Sequence, residues 1–270
     1  MTDTAGERVR APVVAGSFYP SDPAELRTTI ERLLASAPLR PAHASAAKAI
    51  VAPHAGYAYS GPIAARAYRA IEARRDDVTR VVLLGPSHRV PFRGLAVPTV
   101  GAFATPLGSV RIDDAARSHV ATLPNVLIDD EPHADEHSLE VHLPFLQTLL
   151  RLEWGLLPLL VGDASPIAVA DVLAPLWGGS ETLVVVSSDL SHYHDHGTAE
   201  VLDRRTAAAI VARDVEAIST ADACGSRPLR GLLELSRRAG LEVELLDLRN
   251  SGDTAGDRAK VVGYGAFAVV

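Results

Sequence analysis

The chain holds a single cysteine, Cys224, so no disulfide can form within it, which fits a reducing compartment. No apolar run approaches the roughly 20 residues that a bilayer span requires. The opening MTDTAGERVR is charged and lacks the apolar core of a secretory leader. A cytoplasmic protein without membrane contact is expected. Positive charge is in short supply: 26 Lys and Arg stand against 33 Asp and Glu, a net charge of -7. Such a chain repels phosphate backbones, and the Arg-Arg pairs at 74–75, 204–205 and 237–238 lie in helix-like stretches with carboxylates nearby. No nucleic-acid partner is expected. Neither Gly-x-Gly-x-x-Gly nor a P-loop motif occurs, so dinucleotide and NTP binding lack their usual signature.

What is present is apolar substance in an alternating pattern. With 47% hydrophobic and 22% charged residues, the chain can bury a sizeable core, and residues 1–270 read as one α/β domain with a flexible tail at 1–11. Asp22-Pro23-Ala24-Glu25 combines an N-cap, a first-turn proline and an acidic third position, which predicts a helix to about Ala37 with Leu26, Ile30, Leu33 and Leu34 inward. Strands are predicted at 48–53, 79–85, 154–162 and 181–189, with helices at 63–73, 114–123, 136–150, 165–176, 198–213 and 227–240 between and after them. Residues 86–108 read as irregular, and 241–249 with 260–270 as a closing antiparallel edge. Uncharged strands such as VVLLG and LVVVSS imply a three-layer fold, a mostly parallel central sheet with helices on both faces.

In open α/β sheets ligands bind beyond the carboxyl ends of the strands. There the unusual polar residues collect: His54 after the first strand, His88 after the second, Asp189 and His192 after the strongest one. Cys224 precedes a predicted helix whose N-terminus would favour a thiolate. Imidazoles and a thiolate together suit iron, copper or zinc. Taken singly, each histidine reads equally well as a hydrogen-bonded structural residue, and Cys224 as a small buried hydrophobe. Between residues 133 and 142 lie four further polar groups. His137 and His142 are five apart, about 140° around a helix, so they cannot chelate one ion from one face. His137 and Glu140 would share a face and could act as acid or base or orient a metal ligand. His133 reads equally well as part of a solvated helix start or of that polar cluster. His194 and His196 read as an exposed loop, and His43 and His119 as surface residues.

Six stretches, AGSFYP (15–20), APHAGYAYSGPIAA (52–65), LLGPSH (83–88), DEHSLEVHLPFLQ (135–147), SSDLSHY (187–193) and ACGSRP (223–228), resemble the successive motifs of the Memo family, in order and from about residue 12 to the end. The resemblance implies a fold similar to the class III extradiol ring-cleaving dioxygenases, which use non-haem iron(II). It implies metal ligands at His54, His88 and Cys224, and pocket residues at Asp189 and His192, the latter matching the dioxygenases' acid/base histidine. His137 and His142 fall in the family's characteristic helix segment. Bacterial and archaeal members are often called protein B of a system with an AMMECR-type domain and a radical-SAM protein, which the resemblance offers as partners. The dioxygenases use two histidines and a carboxylate, whereas a thiolate here shifts preference toward copper(I) and makes the centre oxidation-prone.

The leading expectation is therefore an iron or copper redox enzyme acting on a small molecule, with zinc ranked behind. His192, oriented by Asp189, would move a proton, and His137 with Glu140 would complete the wall. The alternative is a non-catalytic metal- or partner-binding module on the same fold. Zinc-assisted hydrolysis ranks behind both, since nothing else in the chain resembles a hydrolase, and a serine nucleophile is expected less still, since Ser87 and Ser188 lack a nucleophile elbow.

Overall fold

The computed structural model describes residues 8–38 and 47–270; His43 lies outside them. Strand β1 (Val9–Arg10) leads to helix α1 (Pro23–Ser36), where the Asp22 carboxylate accepts the Glu25 amide hydrogen and Leu26, Ile30 and Leu34 are buried as predicted. Strand β2 (Ala49–Ala52) is followed by α2 (Tyr57–Arg69), which starts well before the predicted Ile63 and encloses Pro62. The proline costs this helix one backbone bond, and burial of Tyr57, Ser60 and Ile63 anchors the turn around it. After β3 (Arg80–Pro86), the stretch expected to be irregular forms β4 (Leu95–Val97) and β5 (Ala102–Thr105), which pairs with β6 (Gly108–Arg111). Such short strands carry too few residues for an alternation to show.

Next come α3 (Asp114–Val120), β7 (Val126–Ile128), α4 (Glu131–Ala134) and α5 (Leu143–Leu149). The helix predicted over 136–150 thus exists only from residue 143, behind a 3-10 turn at Glu140–His142. Its front half does not form because the Glu136 carboxylate takes the amide hydrogens of His137 and Ser138, an alternative to the helix that a short polar side chain can offer. The chain ends with β8 (Gly155–Val161), α6 (Pro166–Leu173), β9 (Thr182–Ser187), β10 (His192–His194), α7 (His196–Ala212), α8 (Ser226–Ala239), β11 (Val243–Asn250) and β12 (Val261–Val269).

The main sheet runs β10-β12-β2-β9-β3-β8-β4-β7, with β11 also on β12. Its centre, β2-β9-β3-β8, is parallel. On either side β12 runs antiparallel to β2 and β4 antiparallel to β8, so the sheet is mixed. Strand β12 is interior rather than an edge, because β11 takes one side of it and β2 and β10 pair along the other. Alternation along the central strands sends Ile50, Val81, Leu83 and Val185 to one face with α1, α2 and α5, and Val51, Val82, Leu84 and Val186 to the other with α6, α7 and α8. The three-layer α/β arrangement follows. Strand β1 joins β5 in a separate small sheet and Arg10 is buried, so from residue 8 onward the expected tail is part of the fold. Among the described residues no helix is long and apolar enough to cross a membrane.

Candidate metal centre

Adjacent parallel strands end on the same side of the sheet, so the loops after β2, β3 and β9 emerge together. His54 and His88 stand just past Ala52 and Pro86, and Cys224 lies in the turn before α8. One ligand atom from each of the three falls within 4.8 Å of the others, and the Cys224 Sγ is 3.4 Å from the His54 Nε2. Gly225 permits this approach: a Cβ there would sit 2.3 Å from the Ser187 carbonyl oxygen.

The hydrogen bonds assign the protons. The Ser187 hydroxyl donates its one hydrogen to the Ser138 carbonyl at 2.7 Å, so at 2.6 Å from the His54 Nδ1 it can only accept. His54 therefore carries its proton on Nδ1 and turns an Nε2 lone pair toward the sulfur. Burial, with the neighbouring rings, pushes its pKa well below the ordinary value, which keeps it neutral. His88 donates from Nδ1 to the Glu136 Oε1 at 2.9 Å, which again leaves Nε2 open. His192 donates from Nδ1 to the Leu190 carbonyl at 2.8 Å. All three rings present the same kind of lone pair.

Burial pushes the Cys224 thiol up, and the Asp189 carboxylate adds to it. The helix N-terminus expected to favour a thiolate is opposed here: α8 begins only at Ser226, and desolvation of the sulfur works against its field. Deprotonation requires a compensating cation, as metal binding would provide. Asp189 accepts the His54 amide hydrogen at 2.8 Å and donates its own amide to the Cys224 sulfur at 3.3 Å. Burial lifts its carboxyl to about 7. It does not orient His192, as expected from sequence; the Leu190 carbonyl does.

His137 joins the cluster, its ring 5.5 Å from that of His54 and stacked at 5.0 Å on that of His88. Glu140 does not share its face. With no helix at 137–140 the three-residue spacing loses its meaning, and Glu140 is fully buried around Arg10, Tyr19 and the amides of Val13 and Val14. The carboxylate at the site is Glu136, which sequence reasoning missed. Burial alone would raise its pKa, but the His88 hydrogen bonds and nearby amides hold it down at about 2. His88, Glu136 and His137 also lie close enough to form a donor set. Yet Oε1 of Glu136 already accepts from His88 Nδ1 and from the amides of His137 and Ser138, and Oε2 from the His88 amide. Glu136 is spent as support.

Among the described residues the other histidines lie outside the donor set. His142 is buried with Nδ1 2.8 Å from the Tyr68 hydroxyl and Nε2 unpartnered. His133 is not solvated, the one of its two readings that the structure excludes, but buried against the Ala96 carbonyl. His194 is exposed, but His196 is tied to Asp253 at 2.7 Å, so only part of that run is free in water. His119 is exposed, as expected.

Fold and site define an α/β protein with a histidine–thiol cluster at the ends of parallel strands. Its sequence matches the Memo-like protein family over residues 10–268. The MEMO1 family proteins of Sulfolobus acidocaldarius and Methanopyrus kandleri are 33% and 36% identical to it, over 95% and 96% of this chain and 97% and 98% of theirs. That of Aquifex aeolicus is 36% identical over 95% of this chain and 97% of its own. The chain belongs to the Memo-like family.

Proposed function

We propose that this protein binds iron(II) or copper through His54, His88 and Cys224 and serves as an oxidoreductase for a small molecule. The observation that carries this reading is the meeting of one ring nitrogen from each of His54 and His88 with the Cys224 sulfur within 4.8 Å. Neutral imidazole and thiolate are borderline-to-soft donors, which supports iron and copper, with zinc behind them. Bound there, the metal would supply Lewis acidity and electron transfer. The chain supplies the rest. Cys224 gives up its proton on binding, and the hydrogen bonds at Nδ1 hold the His54 and His88 rings in a ligating orientation. His192, half-buried with its Nε2 free, takes or returns a substrate proton. His137 walls the pocket. The Memo-family motifs, through the similarity in fold that they imply to the class III extradiol dioxygenases, support redox chemistry, and the lone unpaired cysteine supports a reducing, cytoplasmic setting.

Elemental analysis of protein purified without oxygen tests the reading. One iron or copper per chain is expected, lost in His54→Ala, His88→Ala and Cys224→Ser. Full metal content in those variants removes the proposed ligands. Metal without turnover of any small molecule moves the protein to the non-catalytic role, for which the AMMECR-type and radical-SAM proteins are the partners to try in pull-downs.

A further inference from the structure

We infer that Glu136 is the positioning residue that sets the ligand-ready tautomer of His54 and His88 together. The inference rests on the metal-site reading above and concerns how the apoprotein prepares for it. Glu136 has a side chain only 1% exposed, and its two oxygens organise two branches. The first is direct: His88 gives its Nδ1 hydrogen to Oε1 at 2.9 Å and its amide hydrogen to Oε2 at 2.6 Å, so ring and backbone are clamped by one carboxylate. The second passes through serines. The Ser138 amide donates to Oε1 at 2.9 Å, the Ser138 carbonyl accepts the Ser187 hydroxyl at 2.7 Å, and Ser187 accepts from the His54 Nδ1 at 2.6 Å.

Ser138 has no freedom to drift out of this chain. Its hydroxyl donates to the Pro86 carbonyl at 2.8 Å, and Gly85 faces it so closely that a Cβ there would lie 2.7 Å from Oγ. Only an ionised carboxylate satisfies all four hydrogens, because both its oxygens accept. An amide in its place would turn its NH2 toward either the His88 amide or the three donors on the other side. The charge-assisted bonds at Oε1 are also stronger than neutral ones. His192 supplies an internal contrast, since its tautomer is set by the Leu190 carbonyl and owes nothing to Glu136.

The test uses 15N-labelled, metal-free full-length protein, with imidazole 15N shifts read at mildly alkaline pH. Wild type is expected to show Nδ1–H at His54, His88 and His192. In Glu136→Ala, His88 loses that preference and His54 follows in part, while His192 keeps it. Glu136→Gln, which retains size and one acceptor, falls between. Titration with cobalt(II) alone is expected to show affinity lowered roughly 10- to 100-fold in the alanine variant and less in the glutamine variant. A purely structural role would lower the melting temperature and leave tautomers and affinity of the folded protein unchanged. Unchanged His88 and His54 tautomers in both variants overturn the inference. If cobalt(II) fails to bind wild type while the tautomers respond, the metal reading falls and the role of Glu136 stands.

Discussion

Glu140 offers the sharpest separation between a catalytic and an architectural carboxylate. Its side chain is 0% and that of Arg10 5% exposed, with 2.8 Å between Oε2 and Nη1. Around the same carboxylate the Val13 and Val14 amides and the Tyr19 hydroxyl donate at 2.9, 3.0 and 2.6 Å. Arg10 in turn donates to the carbonyls of His133 and Glu136, which ties the first strand to the segment that carries the site. Glu140→Ala leaves a buried guanidinium without a counter-charge, a loss of about 3–5 kcal/mol. For a chain of this size each kcal/mol moves the melting temperature by about 2–4 °C, so a fall of roughly 6–20 °C is expected. Thermal unfolding followed by circular dichroism measures it, and cobalt(II) binding to the folded variant is expected to persist. Arg10→Met combined with Glu140→Leu removes both charges and should recover the part of the loss due to the unpaired guanidinium, while the Val14 amide and Tyr19 hydroxyl stay without their acceptor. Two results would refute this reasoning: stability of Glu140→Ala within about 1 kcal/mol of wild type, or metal binding lost from a variant that remains folded.

Further expectations follow from burial and close packing. Burial lowers the pKa values of His133 and His142 to about 4 and about 3, against about 6.5 in the unfolded chain. The unfolded state therefore takes up their protons first. Their stabilising contribution is complete above the unfolded value and is lost as pH falls below it, by about 1.4 kcal/mol per pH unit for each ring. Asp189, lifted to about 7, acts with the opposite sign over the same window, so the informative quantity is a difference between proteins. His133→Asn should show a shallower dependence of the urea midpoint on pH, and parallel curves would count against the assignment. Gly225→Ala places a methyl 2.3 Å from the Ser187 carbonyl oxygen and must displace the Cys224 turn. It is expected to weaken cobalt(II) binding at a stability cost of about 1–3 kcal/mol, and wild-type affinity would show that the turn has room to spare.

Much of the scaffold was legible because its signals are local. Asp22-Pro23 starts α1, the uncharged VVLLG and LVVVSS runs are β3 and β9, and Gly240 ends α8 with φ +69°. The strand-end position of His54 and His88 was legible for the same reason. Errors fell where a side chain far away or a neighbouring layer decided the outcome. The predicted helix over 136–150 gave way in its first half to a bend held by Glu136, and α2 absorbed a proline because its first turn is buried.

What this amino-acid sequence determined unaided was the order of its longer strands and helices, its apolar faces, and the donor types it could bring to a metal; these depend on neighbours along the chain. The partners of those donors were decided only by the tertiary structure. Glu136 rather than Glu140 stands at the site, the Leu190 carbonyl rather than Asp189 holds His192, and burial pushes the Cys224 thiol up. Each outcome depends on where a lone pair points and how much water is excluded, and neither is a property of residues read in line.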